Sequence, residues 1–260
     1  MTRTAQNLLS TLALLIAASV SAEALTHSSG TTTYTQNFKN GSIINVLGGD
    51  ATFTGQVKSN GVINISGGMA TFTGNLKNNV VFNISGGDAT INSLKNNAIF
   101  NISGGEITLD EKIGNNASVN VSGGTVSLGT DDVFKNNTDV TMSGGTLATN
   151  GYDVSFDSLT LNGNSVIDLN NDPNVTIDVG TITGSGMVTI TNFTDATQVQ
   201  FDSGSSTIDV GSQIMFGDIP GMVNDQGNIV PAVPEPSTYL GGGILILLAV
   251  AFELRRRRNK

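Results

Sequence analysis

Apolar and polar residues alternate in short runs through the first half of the chain. Phe82 and Ile84 flank Asn83, and Ala89 and Ile91 flank Thr90. A period of two belongs to a strand with one buried face. The runs also recur: Gly-Gly pairs begin at 48, 67, 86, 104, 123 and 144, at spacings of 19, 19, 18, 19 and 21 residues. Their flanks match as well. One copy reads Lys77-Asn78-Asn79-Val80-Val81-Phe82-Asn83-Ile84-Ser85-Gly86-Gly87-Asp88-Ala89-Thr90-Ile91, and the next repeats it from Lys95 to Leu109.

Each unit predicts two alternating strands separated by a Ser-Gly-Gly corner, where glycine accepts positive φ without a Cβ clash. An Asn-Asn or Asn-Gly pair makes a second corner. A short apolar-Lys step (Leu76-Lys77, Leu94-Lys95, Phe134-Lys135) supplies a third side. Such a unit buries nothing alone, but copies stacked about 4.8 Å apart share a core. The expected fold is therefore all-β, a parallel β-solenoid (β-helix) with rungs of about 19 residues. Two inward ladders follow: Ile44, Ile63, Phe82, Phe100, Val119 and Val140, and beside them Val46, Ile65, Ile84, Ile102, Val121 and Met142. Regular repeats occupy about 38–150 of a solenoid spanning 23–220. Over 151–220 strand patterning persists without the repeat, as in Val154 to Leu161 and Val175 to Val179, giving irregular rungs with a cap from about 205. Residues 221–232, rich in Gly, Pro and Asn, read as a linker.

The two ends differ in kind from this middle. Residues 1–22 carry Arg3, an apolar run from Leu8 to Ala18, and small residues at Val20 and Ala22, the pattern of a cleaved secretory signal peptide. At the other end Val233-Pro234-Glu235-Pro236 precedes an apolar stretch, 239–254, and then Arg255, Arg256, Arg257 and Arg258. As a transmembrane helix that stretch would be about 24 Å long, with arginines snorkelling to the headgroups. The arginines would hold it C-terminus inward, so that the rest of the chain faces outward. Glu253 lies inside the run and is placed to pair with Arg256 or Arg257.

The order Pro-Glu-Pro, apolar helix, arginine cluster over 233–258 resembles the PEP-CTERM sorting signal of Gram-negative bacteria. The resemblance implies recognition of the triplet by exosortase, a membrane protease, and delivery to the cell surface or extracellular matrix. The repeat region, with Ser143-Gly144-Gly145-Thr146 and Leu159-Thr160-Leu161-Asn162-Gly163-Asn164-Ser165, resembles the passenger β-solenoids of autotransporter-like surface proteins. No autotransporter barrel follows it.

Composition narrows the functional classes. The whole chain has a net charge of −9, but residues 23–232 hold six lysines against nineteen acidic residues and no arginine, a net −13. Such a surface repels nucleic acid. There is no cysteine, and the single histidine, His27, reads as a solvated residue near a frayed mature end. Ser-His-Asp, Cys-His and histidine-zinc chemistry therefore lacks its residues. A polysaccharide-active β-helix enzyme would need convergent carboxylates. Here Asp110-Glu111 and Asp131-Asp132 are adjacent pairs in expected turns, and there is no tryptophan for sugar stacking. The Gly-Gly corners also lack the Gly-Gly-x-Gly-x-Asp of calcium-binding repeats. Asp131, Asp132 and the Asp168/Asp172 region remain loose calcium candidates, and no cofactor is expected.

The outward ladders are the remaining candidates. Asn45, Asn64, Asn83, Asn101 and Asn120 recur once per rung, as do Thr52, Thr71, Thr90, Thr108 and Ser127, and Lys39, Lys58, Lys77, Lys95 and Lys135. Amide stacking along the axis accounts for the asparagines, and Asn64, Asn83, Asn101 and Asn120 are also a candidate ligand stripe. Paired Thr-x-Thr, the ice-binder pattern, occurs only at Thr52/Thr54 and Thr71/Thr73. The expected function is a non-catalytic, exosortase-sorted surface or matrix protein, acting as spacer or adhesin with polysaccharide as a candidate partner. The alternatives are a polysaccharide-active enzyme and an ice-binding protein.

Overall fold

A computed structural model describes residues 23–134, 137–194, 199–201, 210–225 and 227–232. They form a parallel β-solenoid of about nine turns, and the one described helix is the four-residue turn Val210–Gln213. In the regular part each rung contributes one strand to each of two sheets. The first sheet runs through Ala24–His27, Ile43–Val46 and Val62–Ile65, and the second through Thr31–Tyr34, Asp50–Phe53 and Met69–Phe72. Later rungs join the pair into one bent strand, Val81–Ile91, Ile99–Leu109 and Ser118–Leu128, with the register slipping at Ser-Gly-Gly. The second glycine of each pair, such as Gly68 at φ 74°, lies in the left-handed region. It takes that conformation because the chain must turn within two residues while lying on the rung before it.

The register follows the inward ladders residue for residue. Ile44 pairs with Ile63, Ile63 with Phe82, Phe82 with Phe100, and Phe100 with Val119. All of these side chains are buried. Rings stack up the core: Phe53 on Phe72 at 4.6 Å and Phe82 on Phe100 at 5.1 Å, both nearly parallel, with Phe72 edge-on to Phe82. Stacked aromatic pairs add about 0.5–1.5 kcal/mol beyond the area they bury.

The third side is narrower than a strand. Phe38, Val57, Leu76 and Leu94 meet through single bridges. It widens only in the irregular rungs, where Val154–Leu161 pairs with Ile177–Gly184 and the latter with Val199–Phe201. The Asn corner forms as expected. Asn60, Asn79, Asn97, Asn116 and Asn137 all take positive φ, between 55° and 63°. Their amides chain along the axis, each Nδ2 donating to the preceding Oδ1 at 3.0–3.4 Å.

Three expectations are corrected. The regular two-strand rung begins before residue 38, at Ala24–His27 and Thr31–Tyr34, within the 23–220 expected of the solenoid. His27 is not a solvated end residue. It pairs in register with Val46, so its ring falls into the inward ladder, is buried, and lies 3.1 Å through Nδ1 from the Tyr34 hydroxyl. Residues 221–232 are not a free linker: Ile219–Val223 and Asn228–Pro231 form an antiparallel hairpin. Its second strand pairs with Val199–Phe201 and its first with Ile214–Phe216, so it bridges the last strands of the third side and the second sheet. Gln213 Nε2 donates to the carbonyls of Gly184 and Gly186 beside the last strand of the first sheet. The C-terminal end of the stack is thereby closed.

Candidate functional site

The expected ligand stripe lies on the outer face of the first sheet. Because Ile63, Phe82, Ile102 and their neighbours point inward, the residue between each apolar pair must point out. Asn45, Asn64, Asn83, Asn101 and Asn120 are thus brought into one column. Each Nδ2 donates to the Oδ1 of the preceding rung, at 2.8 Å for Asn64 to Asn45 and Asn83 to Asn64, 2.9 Å for Asn101 to Asn83 and 3.0 Å for Asn120 to Asn101. The column ends where Thr141 replaces Asn in register with Asn120.

Two residues on, a column of serines runs beside it. Together Asn64, Asn83, Asn101, Asn120 and the serines Ser66, Ser85, Ser103 and Ser122 line an open groove of about 510 Å3 along the axis. Ser103 and Ser122 Oγ make long hydrogen bonds, at 3.4 and 3.3 Å, to the carbonyls of Ile84 and Ile102. The serine column was not singled out in the sequence, although Ser-Gly-Gly in five repeats carries it. The groove is uncharged and has amides and hydroxyls on opposite walls. It offers hydrogen bonding to an extended polar chain.

The threonine column forms as read, with Thr52, Thr71, Thr90, Thr108 and Ser127 in register on the outer face of the second sheet. Lys39, Lys58 and Lys95 are exposed and Lys77 is half-buried; Lys135 lies outside the described residues.

Several carboxylates gather where the repeat lengthens, and three of them, Asp131, Asp153 and Asp157, bind backbone of a neighbouring rung. Asp131 Oδ1 accepts the N–H of Asp153 at 3.0 Å, and Asp153 Oδ1 accepts both the N–H and the hydroxyl of Thr176. Asp157 accepts the Asn137 N–H at 2.9 Å, and Ser155 donates to Asp132. Asp168 and Asp172 each accept the N–H two residues on, in Asx turns. Lys112 approaches Asp132 at 3.8 Å with both side chains about half exposed, a pair worth little. A second open groove, about 430 Å3, holds Lys95, Asp110, Glu111 and Lys112 on the third side. Among the described residues no three His, Asp or Glu come together as metal ligands.

Val233, Pro234, Glu235, Pro236 and Arg255 to Arg258 lie outside the described residues, as do residues 1–22. No helix of the described residues is long and apolar enough to cross a membrane. Comparison with protein-family models, curated proteins and solved structures finds no match.

Proposed function

We propose that the chain is a non-catalytic exported protein of a Gram-negative-type bacterium. In this reading residues 1–22 direct export and are removed, 239–254 holds the C-terminus in the inner membrane, and exosortase acts at Pro234-Glu235-Pro236. The solenoid then stands at the cell surface or in the extracellular matrix as a spacer or adhesin. The observation that carries the reading is the order of the tail: Pro-Glu-Pro, apolar run and four arginines in sequence. Its setting is consistent with that role. A stack of about nine turns makes a rod about 43 Å long at about 4.8 Å per turn, and the last strand of the closing hairpin, Asn228–Pro231, ends two residues before Val233 in sequence.

The test is Pro234→Ala with Pro236→Ala. The doubly substituted chain should stay membrane-bound and keep its tail, read as an unchanged mass after export. Normal processing and release would sink the sorting assignment.

The adhesin form of this proposal rests on the Asn/Ser groove, whose neutral donors and acceptors suit a polysaccharide chain. A glycan array probed with the exported protein tests it, and binding to no glycan would leave the spacer role alone. Catalysis is weaker on chemical grounds. Of the acidic residues that a polysaccharide hydrolase or lyase would use, Asp131, Asp153 and Asp157 are engaged with backbone N–H groups, and Asp110 and Glu111 stand as adjacent residues in an open groove, without a facing carboxylate pair among the described residues. Hydrolysis or depolymerisation of any polysaccharide by the purified chain would reverse that choice, and thermal hysteresis would favour ice binding.

A further inference from the structure

The two ends of the solenoid are not alike. At the C-terminal end the hairpin Ile219–Val223 and Asn228–Pro231 supplies partners to the final strands. At the N-terminal end Ala24–His27 pairs only with Ile43–Val46, and Thr31–Tyr34 only with Asp50–Phe53. Their other edges have no partner among the described residues.

The first rung is shaped to carry another on top of it. A Cβ placed on the second corner glycine would meet the backbone of the preceding rung in each regular repeat, at 2.4 Å from Gly30 O for Gly49 and 2.2 Å from Gly49 O for Gly68. At Gly30 the same position faces open space, with nothing within 4 Å. Thr32 stands in register with the buried Ala51 yet is exposed, with no rung over it among the described residues. Tyr34 stacks on Phe53 at 5.0 Å and ends the aromatic column.

Exposed edge strands are ordinarily guarded by lysine, proline or a bulge. Neither edge strand contains a charged acid, lysine, arginine or proline. Residues 31–33 are three threonines, whose branched side chains favour a strand. Glu23 is the only carboxylate between 23 and 34.

We propose that this edge is the interface with a second copy of the chain, meeting it head to head about a two-fold axis. Two solenoids facing each other run round their common axis in opposite senses, so the meeting strands lie antiparallel. The C-terminal hairpin closes its own end with the same kind of pairing. Head-to-tail growth into a fibre is blocked, since the tail end is already capped; an isologous contact closes at two copies. The proposal rests on cleavage after Ala22, which leaves Glu23 alone ahead of the edge strand and sets its carboxylate beside a new α-amino group.

The experiment uses the exported chain, extracted in mild detergent, with its N-terminus read by mass spectrometry. Light scattering should give a dimer. Thr31→Lys with Thr33→Lys places lysines on the outward side of the edge, where a monomer tolerates them and a two-fold contact sets like charges together. That variant should run as a monomer with an unchanged melting curve. The absence of native cysteine makes single substitutions clean. Ser29→Cys, in the first corner, should cross-link with a short bismaleimide, whereas Thr73→Cys in mid-rod should not. A wild-type monomer overturns the proposal, as does a dimer indifferent to the lysine pair. A mass that retains residues 1–22 refutes the cleavage reading by itself, and a monomer of that longer chain refutes the dimer as well.

Discussion

Phe100→Ala removes a fully buried ring from the middle of the stack, where it lies 5.1 Å from Phe82 with planes 10° apart. Rungs on both sides supply its walls, Phe82 before and Val119 after. Neither can move into the space without breaking its own register. Transfer and cavity terms for a buried Phe→Ala come to about 3–5 kcal/mol, and the lost stacking raises the expectation toward the upper part of that range. Total stability of a domain is about 5–15 kcal/mol. A loss of 4 kcal/mol should lower the melting temperature by about 8–16 °C, at roughly 2–4 °C per kcal/mol for this size. Because each rung contacts only its neighbours, hydrogen exchange should accelerate in Val81–Ile91 and Ser118–Leu128 as well as in Ile99–Leu109. Thermal denaturation by circular dichroism gives the first number and exchange mass spectrometry the second. A melting shift below about 3 °C, or accelerated exchange confined to the substituted rung, would refute the shared core.

Three further outcomes follow from the ladders and corners. Replacing Asn64, Asn83 and Asn101 together by Thr removes four amide contacts, each worth about 0.5 kcal/mol at so open a site. Strand propensity returns part of that, so the melting temperature should fall by less than about 5 °C; lost adhesion at a held melting temperature would make the groove a recognition surface. Gly105→Ala should cost more than an ordinary surface change, because its Cβ would sit 2.2 Å from Gly87 O at a φ of 74°. Urea denaturation should show at least about 2 kcal/mol, on the scale of a strained φ plus forced backbone movement. Chelation by EDTA should leave the melting curve of the exported chain unchanged, since Asp131 and Asp153 already accept backbone N–H groups; a large drop would reveal a structural cation.

The regular rungs were legible because the same physics recurs at each. Period two sets the faces, Gly-Gly marks one corner and Asn the other, and the register of Ile44, Ile63 and Phe82 follows from aligning them. The first rung was left outside the regular repeat because its corner reads Ser28-Ser29-Gly30, with one glycine instead of two. His27 was misread for the same reason: without the rung, nothing placed it opposite Val46. The closing hairpin was hidden by composition. Pro220, Gly221 and Asn224 look like a linker, yet Pro220 sits in a strand where its carbonyl still accepts the Ala232 N–H at 2.8 Å. Proline is tolerated there because it stands at the end of the described ladder, which keeps the Ala232-to-Pro220 bond and forgoes only the return one. The groove was half legible. Its asparagine wall stood out, whereas its serine wall was read only as turn chemistry.

Why the sequence speaks plainly of architecture and faintly of chemistry has a geometric cause. Stacking a repeat copies each side chain along the axis, so identical groups line up in columns and unlike groups stay apart. Asn meets Asn and Thr meets Thr, rung after rung. A catalytic site needs the opposite, different groups converging on one point. In a solenoid such convergence arises only where the repeat is broken by extra residues, here around 110–114 and 130–138 and in the longer rungs beyond 150. Those are the places where the carboxylates collect, and there Asp131, Asp153 and Asp157 are occupied in holding the next rung's backbone. What the columns leave available is repetition itself: a long, uncharged groove and one edge without a partner among the described residues. Both suit partners that are extended or self-complementary, and the chemistry that reads them is hydrogen bonding along a line.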